Sequence, residues 1–272
     1  ERKRMNILLV DPIYNTSYDN LYPVYGDFFR ELSKKNQIIV NRGNLKIIEN
    51  QIADNKIDIL CFGLGWFAST SNVFLQKFIN KNIKIPKICF IHKESVMLKD
   101  KLNFCILNEA DLIIHSQYHY KEFEKLTGIP CKKLMFAARE DWYYPRELQR
   151  RLDVCFTGAL HGNGKMKGPA TDLRVRLKEK VTSIPNLNVL WSDRIPFEEY
   201  KKTLNESKIW ISTTGPTHDV SPRFFEIMHS KSLLFCNKMP NSYEDIFIDG
   251  YNCVMFENDL SDLDEKLNFY LQ

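Results

Sequence analysis

The sequence predicts an α/β protein made of two doubly wound, Rossmann-like domains facing across a cleft, the N-terminal one over residues 1–148 and the C-terminal one over residues 149–272. Three observations predict it. Short apolar runs alternate with amphipathic stretches along the whole chain, the rhythm of βα units around a parallel sheet. The runs are apolar throughout, without strict polar alternation, as expected of strands covered on both faces. The rhythm breaks once, in "AAREDWYYPRELQRRLD", where proline, paired aromatics and a charge run intervene, and then restarts. That break places the junction around residues 142–151.

Taken in order, "MNILLVD", "QIIVN", "IDILCFG", "KICFIH", "ADLIIHS" and "KKLMF" read as strands of the first domain. "DNLYPVYGDFFRELSKK", "TSNVFLQKFINK" and "QYHYKEFEKLTG" read as its helices. In the second domain the strands are "DVCFTGA", "NLNVLWS", "KIWISTT", "SLLFCN" and "NCVMFEN". The helices there are "TDLRVRLKEKVTSI", "PFEEYKKTLNES", "SPRFFEIMHS" and "LSDLDEKLNFYLQ". No short repeat or low-complexity segment interrupts either half.

Bulk properties narrow the function. With 272 residues, 44% of them hydrophobic, the chain can bury two ordinary cores. A net charge of +4 suits a phosphate-bearing ligand, but there is no concentrated basic stripe of the kind a nucleic-acid duplex calls for. The seven cysteines form no CxxC pair, and five of them (Cys61, Cys89, Cys155, Cys236 and Cys253) lie in apolar runs. This usage points to a reducing compartment, taken as cytoplasmic, and to no structural zinc. His115 and His119 stand four apart without a third ligand or an HExxH context, so no metal site is expected. "ERKRMNILLVDP" is neither a signal peptide nor a span, and nowhere do eighteen apolar residues run together. The abrupt stop at "LNFYLQ", inside a helical pattern, reads as an excised domain or a trimmed chain.

Open parallel sheets bind ligands beyond the carboxyl ends of their strands, so the residues just after each strand are the candidates. "DVCFTGAL" is followed by "HGNGKMKGP", where Gly158, Gly162, Gly164 and Gly168 let amides approach an anion and Lys165 and Lys167, beside His161, add charge. It is not a Walker loop, since no Ser or Thr follows the GK; a polar surface loop is the plainer reading. "KIWISTT" is followed by "GPTHDVSPRFFE". Ser221 suits the N-cap and Pro222 the first helical position, and the open amides of such a helix start attract anions. Arg223 and Glu226, three apart, share a helical face. A carboxylate can accept from two neighbouring hydroxyls, as a ribose presents, while an arginine suits diphosphate oxygens; the plainer reading is a surface ion pair worth at most ~1 kcal/mol. His92 ends the strand "KICFI" and could equally be a structural histidine. The GxGxxA fragment at Gly63, Gly65 and Ala68 follows the third strand, not the first, and reads as a turn lining the cleft instead of a dinucleotide site.

From Asp153 onward, "DVCFTGALHG", "PFEEYKKTLNESKIWIS" and "SPRFFEIMHSKSLLFCNKMPNSYEDIFIDGYNCVMFENDLSDLDEKLNFYL" together resemble the group 1, family 4-like glycosyltransferases of the GT-B fold. The nearest pattern is the branch reading R-x-F-E, a small-residue turn, a strand and "lF-x-D-G-x-x-x-x-x-F". The N-terminal half agrees only in architecture and in its strand-end histidine. The resemblance implies that Glu226 holds the donor ribose, that Arg223, Ser221 and the helix start face the phosphates, and that the loop from Gly158 to Lys165 lies under the diphosphate. It implies that His92 touches the donor sugar near the reacting carbon and that Asp249 and Gly250 form a structural turn. Two departures matter. His218 stands where the family has a second glutamate, in a position that contacts the donor, and "HSK" at 229–231 replaces a small-residue turn. No glycine-rich loop follows the first strand.

The resulting expectation is a metal-independent glycosyltransferase without a resident cofactor, hexosyl or deoxyhexosyl in type. It would move sugar from a UDP- or GDP-linked donor on the C-terminal domain to a glycan or lipid hydroxyl on the N-terminal one. Lys165, Arg223 and helix amides would stabilise the leaving diphosphate. The resemblance favours retention of configuration; an inverting route would need a base such as Glu94 or Asp27. Nucleic acid is not expected as a partner, and a lipid-linked acceptor would bring weak membrane-surface association. Two alternatives stay open: a nucleotide-sugar-binding protein without turnover, supported by His218, and a sugar-nucleotide epimerase.

Overall fold

The computed structural model describes residues 3–11, 26–64, 83–91, 97–116, 120–158, 169–215, 218–240 and 243–272. The chain divides into two compact units, Glu1–Phe136 and Ala137–Gln272. The first holds strands β1 (Asn6–Val10), β2 (Gln37–Asn41), β3 (Ile59–Leu64), β4 (Lys87–Ile91), β5 (Leu112–His115) and β6 (Cys131–Lys133). They form one sheet in the order β2-β1-β3-β4-β5-β6, every neighbouring pair parallel. Helices α1 (Gly26–Ser33), α2 (Ile48–Asn55), α3 (Leu98–Leu107) and α4 (Tyr120–Thr127) accompany it.

The two-residue period of a strand explains the continuous apolar runs. Leu8 and Val10 enter one core with Phe62, Ile91 and Ile113, while Ile7 and Leu9 enter a second with Phe29 and Phe90. Alternate side chains thus meet opposite layers, and neither face can be polar. Edge-to-face ring pairs stiffen both layers: Phe62–Phe104 at 5.3 Å between centroids and Phe29–Phe90 at 5.2 Å.

The second unit repeats the plan with β7 (Leu152–Thr157), β8 (Val189–Ser192), β9 (Ser207–Ser212), β10 (Leu233–Asn237) and β11 (Val254–Phe256). Its parallel order is β11-β10-β9-β7-β8. Helices α5 (Pro169–Thr182), α6 (Phe197–Glu206), α7 (Pro222–His229) and α8 (Leu263–Leu271) surround the sheet. Val154, Phe156, Ile209 and Ile211 pack with Leu173 and Leu177 of α5 and Leu263 and Leu267 of α8. The alternate residue Trp210 meets Tyr200 of α6 edge to face at 5.4 Å. Because β8 and β9 flank β7 on opposite sides, the chain reverses direction across the sheet between β7 and β9. That reversal is the topological switch point where such sheets bind ligands.

Among the described residues, all eleven strands fall where apolar runs predict them, with β6 shifted toward Cys131. Helices α2 and α3 were not anticipated. In α3 a lysine, Lys101, occupies a position in the buried stripe at 3% exposure, which hides the amphipathic pattern; α2 carries few apolar positions. The expected boundary at 148/149 falls inside the second unit, because the segment preceding β7 is tied to that unit. The Arg146 amide donates to Asn205 Oδ1 over 2.7 Å, Arg150 Nη2 donates to the Lys231 carbonyl over 2.7 Å and Arg150 Nη1 also reaches the Ser207 carbonyl. Trp142 packs on Phe197 at 5.0 Å. Among the described residues no helix is long and apolar enough to cross a membrane, and no group of three His, Cys, Asp or Glu side chains is placed to hold a metal. All seven cysteines are free and buried.

Candidate functional site

The site is built at the carboxyl ends of β7 and β9. Gly158 follows β7 directly, and its amide donates to the Ser192 carbonyl over 3.0 Å, which carries the β7–β8 pairing one step past the strands. Thr213, Thr214 and Gly215 follow β9. Behind them Asn237, at the end of β10, accepts the Thr214 amide at 2.9 Å and donates to Thr214 Oγ1 at 3.1 Å and to Asn258 Oδ1 at 3.0 Å. This buried amide ties three strand ends together, so the loops above them start from a fixed base.

Helix α7 then enters. Ser221 occupies the N-cap position in an extended conformation and Pro222 the first turn, as the sequence signals, but the serine hydroxyl makes no capping bond. Phe224 and Ile227 are fully buried and set the rotation of the helix. That rotation carries Glu226 inward, where it is 8% exposed. Tyr200 of α6 donates its phenolic hydrogen to Glu226 Oε2 over 2.6 Å, and the Tyr143 hydroxyl bonds the same carboxyl group. Burial raises the Glu226 pKa above its ordinary value, against the opposing hydrogen bond from Tyr200, the charge of Arg223 and the hydrogen bond from Tyr143. Burial and the facing carboxylate push the Tyr200 hydroxyl well up, so it remains a donor. The surface ion pair that the spacing of Arg223 and Glu226 allowed is therefore not what forms. The glutamate bonds two phenols and feels the arginine only through its charge.

Arg223 lies against the end of β7: a methyl group built on Gly158 would stand 3.4 Å from Arg223 Nη1. Arg223 Nε is buried without a hydrogen-bond partner. A third group was not read from the sequence. Arg174 of α5 donates from Nε to Thr213 Oγ1 over 2.8 Å. Burial lowers the pKa of its guanidinium, the like charge of Arg223 lowers it further, and Asp219 opposes both. In sequence Arg174 is one of several cations on a charged helix, with Arg176, Lys178 and Lys180 after it, and nothing in the spacing distinguishes it.

Of the expected site residues, the structure brings Gly158, Arg223 and Glu226 together, with Ser221 at the head of the same helix. His218 is exposed, with a left-handed φ of 57°, and its amide donates to the Gly215 carbonyl over 3.0 Å. His92, Glu94, His161 and Lys165 lie outside the described residues. The Asp249–Gly250 turn is structural: Asp249 Oδ1 accepts the Met255 amide at 2.7 Å, and Gly250 takes a φ of 75° that disfavours other residues. Tyr143 and Tyr200, like Arg174, carried no signal in the sequence, where they read as aromatics of a linker and of an amphipathic helix.

Residues 146–272 match the family described as Glycosyl transferase-like. A comparison with curated protein sequences finds no match. Among solved structures the chain is similar to sucrose-phosphate synthase from Thermosynechococcus elongatus, at 10% identity and a TM-score of 0.61, over 97% of this chain and 88% of that one. It is similar to Anabaena HepE in complex with UDP-glucose, at 13% identity and a TM-score of 0.59, over 99% and 90% of the two chains. It is also similar to an alpha-glucosyltransferase in complex with UDP-glucose and DNA containing an abasic site, at 11% identity and a TM-score of 0.54, over 99% and 90%. The fold is GT-B, and the resemblance read in the C-terminal half holds.

Proposed function

We infer that this GT-B chain, whose residues 146–272 are glycosyl transferase-like, transfers a hexosyl or deoxyhexosyl group from a UDP- or GDP-linked donor to a hydroxyl of a glycan or lipid. The observation that carries this reading is the buried Glu226 carboxylate, held by two phenols, with the Arg223 guanidinium close enough to act on it at a sheet's switch point. A carboxylate offers about four lone-pair sites, so one bonded to two phenols still accepts from vicinal ribose hydroxyls. Arg223, Lys165 and the amides opening α7 would bear the charge that develops on the departing diphosphate. His92 would contact the sugar near its reacting carbon. In this reading protein cations serve where other transferases use a metal ion, and retention of configuration is favoured. HepE, in a complex with UDP-glucose, makes UDP-glucose the first donor to try.

The test is a thermal-shift screen against UDP, GDP and their sugars, followed by assay of nucleoside diphosphate release with chelator present. A ligand at a hundredfold excess over its Kd stabilises the fold by about 2.7 kcal/mol, a shift of several degrees for a chain of this size. No shift with any nucleotide diphosphate would remove the reading. Arg223→Ala should weaken UDP more than uridine, and equal losses would contradict its phosphate role. His218, exposed where the family has a glutamate, supports a second reading: a nucleotide-sugar binder without turnover. Binding with no release of nucleoside diphosphate to water or acceptor would favour it.

A further inference from the structure

The register of β7 and β9 brings two arginines to one point. Cys155 pairs with Trp210, so three residues further along each strand Gly158 comes level with Thr213, on strands about 4.8 Å apart. Arg223 packs on Gly158 from α7, and Arg174 is pinned to Thr213 from α5. Two guanidinium groups that start on opposite flanks of the sheet therefore converge above its switch point. One carboxylate, Asp219, acts on Arg174. It lies against the backbone at Gly215, where an added methyl group would meet its Oδ1 at 2.1 Å. Glu226 interacts with the charge of Arg223 as Asp219 does with that of Arg174, yet the two guanidinium groups still repel each other in a half-buried place, and Arg223 Nε has no hydrogen-bond partner. Like charges held together at a partly buried point repel, and an anion that bonds both guanidinium groups relieves that repulsion.

We propose that Arg174 is a phosphate-binding residue of the donor site, its guanidinium and that of Arg223 together gripping the two phosphate groups of a nucleoside diphosphate. The proposal rests on the nucleotide-sugar reading above and adds to it a residue from α5. Forked guanidinium groups bind phosphate oxygens in pairs, and two of them approaching from different helices match a diphosphate better than a single phosphate. The bond to Thr213 fixes the Arg174 side chain before the ligand arrives, so little rotamer freedom is lost on binding.

The experiment is titration calorimetry of the whole chain with inorganic pyrophosphate, uridine and UDP, and with guanosine and GDP in parallel. The proteins compared are wild type, Arg174→Met, Arg174→Lys and, as a control on the same helix, Arg176→Met. Arg174→Met should weaken pyrophosphate and the nucleoside diphosphate by roughly tenfold or more and leave the nucleoside within about twofold. Arg174→Lys should recover only part of the loss, because an ammonium lacks the fork, and Arg176→Met should match wild type. If Arg174→Met proves unstable, the lysine variant carries the same comparison. Unchanged pyrophosphate and diphosphate affinity in both Arg174 variants would overturn the proposal while leaving the nucleotide reading intact. Wild-type binding of pyrophosphate that depends on Arg174, with no affinity for any nucleotide, would keep the anion site and sink the donor reading. Binding of neither would sink both.

Discussion

Tyr200 donates its hydroxyl hydrogen to Glu226 Oε2 over 2.6 Å, and this bond joins α6 to α7 across the face of the second sheet. The same carboxyl group is bonded by Tyr143, from the segment that precedes β7. Three separate stretches of chain thus meet at one acid, and its position is set before any ligand is present. The strain of that arrangement is electrostatic, since burial opposes the charge the two phenols support.

Glu226 should therefore trade stability against binding. Its pKa is raised in the folded state, so between the unfolded and folded values the native protein keeps a proton that the unfolded chain has released. Stability from this group is complete below the unfolded pKa and is lost as pH rises through the folded one. Glu226→Gln should abolish that loss. Calorimetric melts across the carboxylate range and up to neutral pH should show the ligand-free variant melting at or above wild type at neutral pH. Titration should show UDP or GDP affinity reduced by roughly tenfold or more. A variant that melts lower at neutral pH and binds normally would contradict both parts.

The phenols are the second target. Tyr200→Phe and Tyr143→Phe each remove a donor from a buried acid and should cost about 1–3 kcal/mol in urea unfolding. In a Glu226→Gln background the cost of Tyr200→Phe should change by about 0.5 kcal/mol or more, since bonded partners couple. Strict additivity would mean that the bond carries no energy.

His92 should separate binding from turnover. His92→Ala is expected to leave nucleoside diphosphate affinity within about twofold and to slow sugar transfer by about a hundredfold or more. Full activity in this variant would assign the histidine to structure alone.

The thiols should be silent in the native protein. Burial pushes Cys61 up to about 12, and Cys155 up to about 11. All seven cysteines are free and buried. Reaction with a disulfide reagent should therefore wait for unfolding, and denaturant should then release the four thiols of the first unit as one set and the three of the second as another; several fast native thiols would show that the cores open readily.

The legible parts of this protein were those carried by local pattern. Apolar runs marked the strands because each strand is covered on both faces, and Leu8 and Ile7 show how neighbours serve opposite cores. Pro222 after Ser221 marked the start of α7. Lys101 hid α3, because its aliphatic stem can fill an apolar position that its charge disguises. The linker was legible as a break in rhythm but not in its allegiance, which Arg146 and Arg150 decide through bonds to residues more than fifty positions away.

By itself, then, the sequence determined the succession of parallel strands, the helices between them apart from α2 and α3, and the presence of Arg223 and Glu226 at the head of one helix. Local spacing sets which residues share a face, and that is enough for both. Only the tertiary structure decided that the acid turns toward Tyr200 and Tyr143 rather than pairing with Arg223, and that Arg174 comes to Thr213 at the same place. Those meetings follow from β7 lying between β8 and β9. The order of strands in a sheet is chosen by the packing of whole layers, for which no periodicity along the chain provides a code.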